Sequence, residues 1–294
     1  MAEERPARLG RVITVTAPKG GTGKSTLSLN LAAYLGLRLR GTGRNVCLID
    51  ANVQQADTGK YLNVYSPNIE NVLKDPTSIH PDRINHYLLH KADLNMSALL
   101  GPATPESANP LFFTGRRYKQ ILDALRPNYD YIVIDTPVAE LYHDLFREFA
   151  LPEADFIIVT ISPNTTTLLN TDSWLRQVTA SRNADGMGIS KDKIGIVLNR
   201  AQSDIGLTED EARRELGEWN WLGSIPETKE WQRCNNHNEI VATKNYDDLN
   251  KAFSLVLSHA TGEELLRTTS PDLTPQRGAA AGGLLGRFLK GRKG

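Results

Sequence analysis

Ala17-Pro18-Lys19-Gly20-Gly21-Thr22-Gly23-Lys24-Ser25-Thr26 is the stretch that decides the fold. Upstream, Val12-Ile13-Thr14-Val15-Thr16 is a β-branched run suited to a buried strand. Downstream, Leu27, Leu31, Leu35 and Leu39 recur every fourth residue, the stripe of a helix that faces a core. Strand, glycine loop and helix in that order form a phosphate-binding unit. Gly20, Gly21 and Gly23 carry no Cβ, so the backbone can curl and aim its N–H groups inward, next to the positive end of the helix. Thr22 completes the loop, Lys24 is placed to reach β- and γ-phosphates, the Ser25 hydroxyl to ligate Mg²⁺, and Thr26 to meet the α-phosphate.

Composition bounds what else the chain can be. Its 294 residues suffice for one large α/β domain and a sizeable core. Formal net charge is zero, so no whole-chain field favours nucleic acid or membrane, and such binding must come from a local patch. Cys47 and Cys234 are too few for a zinc or disulfide framework, and Cys47 sits in an apolar strand pattern as a core residue. A reducing, cytoplasmic setting is expected. No apolar run reaches about 18 residues, and the charged residues 1–10 read as a disordered start.

Further strands end in chemistry-bearing residues. Asn45 to Ile49 leads into Asp50, followed by Ala51-Asn52-Val53-Gln54-Gln55-Ala56-Asp57. Leu94 to Leu100 reads as a strand, Gly115 to Leu125 as a helix, and Tyr129 to Ile134 as a strand ending in Asp135, a carboxylate placed to hold Mg²⁺. Phe156 to Ile161 is another strand, before a helix carrying Leu168, Leu169, Leu175 and Val178. Ile194 to Leu198 ends in Asn199-Arg200, and Trp221 to Ile225 in Pro226-Glu227. Helical patterns cover Ile69 to Leu73, Pro81 to Leu89, Glu209 to Trp219 and Leu249 to Leu266. Strands alternating with helices over residues 11–266 predict one α/β domain, doubly wound, with a mainly parallel sheet of about seven strands flanked by helices.

The ordinary phosphate loop has a glycine where this chain has Pro18, and Lys19 adds an early lysine. Lys19 to Thr26 resembles the deviant Walker loop of the MinD/ParA P-loop ATPases. The resemblance implies ATP and Mg²⁺ as cofactors and a homodimer formed on ATP binding, with Lys19 crossing to the partner's phosphates. It implies that Lys24, Asp50 and the residue at 52 serve catalysis, that Ser25, Asp50 and Asp135 organise the metal, and that Asn199, Arg200, Pro226 and Glu227 surround the adenine. Where the family has its second aspartate, this chain has Asn52. An amide orients water without accepting its proton, so hydrolysis is expected to be slow.

Within the family, Asp50-x-Asn52-x-Gln54-x-x-Asp57, the long 60–92 segment and Pro105-Glu106-Ser107-Ala108 look most like the CpaE/TadZ pilus-assembly ATPases. That implies a switch that positions a membrane-associated machine and meets protein partners of a polar or pilus apparatus. Septum-site or flagellar-number MinD-like ATPases and ParA-type DNA-partitioning ATPases are the alternatives. DNA binding needs a basic surface. Arg213, Arg214, Lys229, Arg233, Lys244 and Lys251 are interleaved with acids, so a nucleic-acid partner is not expected. Residues 267–283 read as a flexible linker. Residues 284–294 place Leu284, Leu285, Phe288 and Leu289 on one helical face flanked by Arg287, Lys290 and Lys293, a basic amphipathic tail suited to the inner face of a membrane.

Overall fold

A computed structural model describes residues 9–75, 77–104, 112–202 and 207–266. The strands are β1 (Arg11–Thr16), β2 (Val46–Asp50), β3 (Leu89–Lys91), β4 (Met96–Leu99), β5 (Tyr131–Asp135), β6 (Phe156–Ile161), β7 (Ile194–Ala201) and β8 (Asn220–Pro226). They form one sheet in the order β3-β4-β2-β5-β1-β6-β7-β8. Seven are parallel, and β3 pairs antiparallel with β4 at the edge.

The two faces follow from the period of two along each strand. Val12, Ile132, Ile134, Ile157 and Val159 point into one core, while Ile13, Val15, Val133 and Ile158 point into the other. The helices are α1 (Lys24–Leu39), α2 (Thr58–Leu62), α3 (Ile69–Lys74), α4 (Gly115–Leu125), α5 (Thr165–Thr179), α6 (Glu209–Glu215), α7 (Lys229–Asn236) and α8 (Asp247–Thr261). The second core is closed by α1 and α8. Leu27, Leu31, Leu35 and Leu39 are all buried there beside Phe253, Val256, Leu257 and Ala260. Each of these leucine, valine and phenylalanine side chains contributes roughly 1.5–3 kcal/mol of transfer free energy. The first core takes α4 and a π-helical turn at Leu145–Ala150, joined by the stacked rings of Tyr118 and Phe149 at 5.4 Å.

Several boundaries differ from the sequence reading. The helix expected over Pro81 to Leu89 is a 3₁₀ turn at Ile84–Tyr87 followed by the short strand β3, which raises the count to eight. Asn95 adopts a left-handed conformation (φ 51°), so β4 begins at Met96 rather than Leu94. The helix expected to reach Trp219 ends at Glu215. Gly262 (φ 76°) closes α8 at Thr261, before a separate 3₁₀ turn at Glu264–Leu266. On α5, Leu168, Leu175 and Val178 are buried, but Leu169 is 58% exposed because successive residues cannot share a helix face. Both cysteines are buried, and burial pushes the Cys47 thiol well above its ordinary range. No helix among the described residues is long and apolar enough to cross a membrane.

Candidate functional site

A cleft of about 350 Å³ opens where β1, β2 and β5 end. This is the C-terminal edge of a parallel sheet, next to the strand at which the winding direction changes. Its floor is the loop from Gly20 to Thr26. Gly21 (φ 78°) and Gly23 (φ 79°) take the left-handed turn that a side chain resists, and Gly23 caps α1. The loop is pinned from below: Thr22 Oγ1 and Thr160 Oγ1 lie 2.9 Å apart, and Thr160 Oγ1 donates to the Thr16 carbonyl at 3.3 Å. Lys24 is only 9% exposed, yet it lines the cleft.

Ser25 faces the same cleft, while Asp50 and Asp135 lie behind it, fully buried and paired in register between β2 and β5. Asp135 Oδ1 accepts the Ser28 hydroxyl at 3.0 Å, but its Oδ2 has no partner although it is buried. An orphaned carboxylate oxygen beside a serine hydroxyl is a donor set for a hard cation that keeps most of its water. The residues therefore fit Mg²⁺ through Ser25 and Asp135. Burial raises the Asp135 carboxyl above its ordinary range, opposed by the Lys24 charge and the Ser25 and Ser28 hydroxyls. Asp50 makes contacts that the sequence did not indicate. Its two oxygens accept the backbone N–H groups of Asn52 and Thr58, each at 3.1 Å, so it holds the 51–57 loop closed and does not line the cleft. Burial, and next the charge of Asp135, lift it to about pH 7. Among the described residues no cluster of three His, Cys, Asp or Glu could hold a metal by itself.

Asn52, Gln54 and Asp57 line the cleft wall, with Asp57 tied to Lys60 at 2.9 Å. Lys19 is exposed and does not line its own cleft. Thr26 Oγ1 lies 2.8 Å from the Tyr61 hydroxyl on α2, a helix the sequence reading missed. The loop after β5 supplies Val138, Glu140 and His143, none of which carried a sequence signal.

A second cavity of about 130 Å³ shares Gly23, Thr26 and Arg200 with the first. Asn199, Glu227 and Trp231 line it. The Asn199 side chain is already engaged: its Nδ2 donates to the Thr22 carbonyl at 2.7 Å. The residue expected to hold adenine is thus bonded to the phosphate loop while it lines the smaller cavity. Arg200 has φ 60°, uncommon for a residue other than glycine, and its Nε lies 3.8 Å from a Glu227 carboxylate oxygen. Pro226 does not line the cavity; its carbonyl accepts the Trp231 indole N–H at 3.1 Å, which fixes α7 against the pocket. Sequence reasoning missed α7 and Trp231, since the stretch has one apolar turn among polar residues.

Comparison with known proteins agrees with this geometry. The profile of a family described as an AAA domain (AAA_31) matches residues 10–184. The septum site-determining protein MinD of Thermotoga maritima is 26% identical over 87% of this chain and 89% of its own length. The chromosome partitioning protein ParA of Myxococcus xanthus is 32% identical over 53% of each chain. Among solved structures, septum site-determining MinD of Pyrococcus horikoshii, complexed with Mg-ADP, superposes with a TM-score of 0.65 at 21% identity, covering 86% of this chain and 96% of that one. The deviant phosphate loop, the orphaned Asp135 oxygen and the family match together place the chain in the MinD/ParA family of P-loop ATPases, enzymes that bind ATP with Mg²⁺.

Proposed function

We propose that the protein is an ATP-dependent dimerising switch that positions a membrane-associated machine. The observation that carries this reading is the position of Lys19: it sits in the phosphate loop, exposed, outside its own cleft, where a second copy's nucleotide could meet it. In this reading residues 11–266 are the ATPase domain, 267–283 the linker and 284–294 the membrane-directed tail. The linker and tail lie outside the described residues. Lys24 and the loop amides from Gly20 to Thr26 bind the phosphates. Ser25 and Asp135 hold Mg²⁺, which supplies charge neutralisation at the β- and γ-phosphates. Asp50 keeps the 51–57 loop shut over the site, and Asn199 orders the phosphate loop while facing the base with Arg200 and Glu227.

Pilus assembly is the machine favoured by Asp50-x-Asn52-x-Gln54-x-x-Asp57, which resembles the CpaE/TadZ group. A MinD-like role in placing a division septum is supported by the near full-length match to a septum site-determining protein. Both readings put two tails on the inner face of a membrane. Each short tail binds weakly, and a dimer gains by avidity.

Sedimentation of the full chain with phosphatidylglycerol vesicles tests the switch. Pelleting should rise at least tenfold with Mg-ATP over ADP, vanish on deletion of 275–294, and lose its nucleotide dependence in Lys24→Ala. Pelleting unchanged by the deletion would remove the tail from the account.

A further inference from the structure

Hydrolysis requires that a water oxygen bond to the γ-phosphorus while the bond to the bridging oxygen breaks. ADP departs with the electron pair, and a proton leaves the water. Asn52, at the wall of the cleft, has no basic site at neutral pH to receive that proton. The acceptor is then either an oxygen of the γ-phosphate itself or another group that lines the cleft.

Two carboxylates line it among the described residues, Asp57 and Glu140. Asp57 is committed to Lys60 at 2.9 Å. No hydrogen bond or ion pair with another described residue engages the Glu140 side chain. Its backbone, in contrast, is fixed against the phosphate loop. The neighbouring Ala139 N–H donates to the Ala17 carbonyl at 2.9 Å, and the Glu140 N–H donates to the Val138 carbonyl at 2.9 Å. Val138 lies beside Gly20, where an added Cβ would make ordinary van der Waals contact with its Cγ2 at 3.6 Å. A free carboxylate is therefore carried on a segment stapled to the loop that would hold the phosphates.

His143 shares this wall, but its Nδ1 accepts the Leu145 N–H at 3.3 Å and lies 3.3 Å from Asp144 Oδ1. As a neutral ring with Nδ1 accepting, or as an imidazolium beside Asp144, it carries a proton on Nε2 and offers a donor.

We propose that Glu140 accepts the proton of the attacking water, the task that Asn52 cannot perform. The inference rests on the ATPase reading of the same cleft. Glu140→Gln keeps size and hydrogen bonding while removing the base. In the full chain with Mg²⁺, affinity for a fluorescent ATP analogue should stay within about twofold of the parent, and single-turnover hydrolysis should fall about a hundredfold, within the range of a general base. Protein recovered from gel filtration should carry intact ATP where the parent carries ADP. Asn52→Asp added to Glu140→Gln should restore hydrolysis at least tenfold.

Wild-type hydrolysis in Glu140→Gln overturns the proposal. So does a loss of nucleotide affinity, which would make Glu140 a binding or structural residue, or a failure of Asn52→Asp to rescue. A hydrolysis defect in His143→Gln without one in Glu140→Gln would pass the role to the imidazole. If the unaltered protein neither bound nor hydrolysed ATP, the reading of the cleft would fail before the question of the base arose.

Discussion

Gly23 shows how tightly one position can be specified. Its φ of 79° excludes most side chains, and a Cβ there would stand 2.5 Å from the Asn199 amide nitrogen. Gly23→Ala would impose a left-handed conformation costing about 1–2 kcal/mol and push Asn199 off the Thr22 carbonyl. Nucleotide affinity, measured by calorimetry, should fall more than tenfold, with a Tm drop of only a few degrees. Unchanged affinity would mean that the Asn199–Thr22 bond does not shape the loop. That the glycines, Lys24 and Ser25 would gather at one cleft was legible in the sequence, because a phosphate loop is carried by local spacing. The Asn199–Thr22 bond was not, since it joins residues 177 positions apart. Nor was the commitment of Asp50 to its own loop, which depends on the turn that brings the Thr58 N–H back to it.

At the scale of elements, α1 carries Gly36 inside its last turn, where a helix interior disfavours glycine by about 0.8–1 kcal/mol. The reason is contact: a Cβ on Gly36 would fall 2.3 Å from the Leu94 carbonyl oxygen, and Asn95 Nδ2 donates to the Gly36 carbonyl at 3.1 Å. The helix lies directly on the turn that launches β4. Gly36→Ala is expected to destabilise the fold by about 1–3 kcal/mol through overpacking, despite the gain in helix propensity. Chemical denaturation would register the loss, and a stabilised variant would contradict the packing. The same turn explains an error of reading. Leu94 to Leu100 is apolar enough to pass for one strand, but Asn95 turns left-handed and splits it. Likewise β3, three residues long at the sheet edge, has too few positions to display a period of two. The seven parallel strands were legible because each carries a buried apolar run; short edge and connecting elements, held by tertiary contacts, were not.

For the whole molecule, the sheet gathers the loop after β1, the 51–57 loop and the loop after β5 at one edge, leaving Lys19 exposed beside the cleft. In the proposed switch, a lysine held outside its own site gives the nucleotide a means of joining two chains, so that bound ATP becomes a statement about assembly. The most direct test is molar mass by light scattering on the full chain with Mg-ATP, with Mg-ADP and without nucleotide. The account predicts a mass near twice 32.5 kDa with Mg-ATP alone, abolished by Lys19→Ala even though that variant still binds nucleotide. A monomer mass with Mg-ATP at every concentration tested, or a dimer that forms equally with ADP, would contradict it.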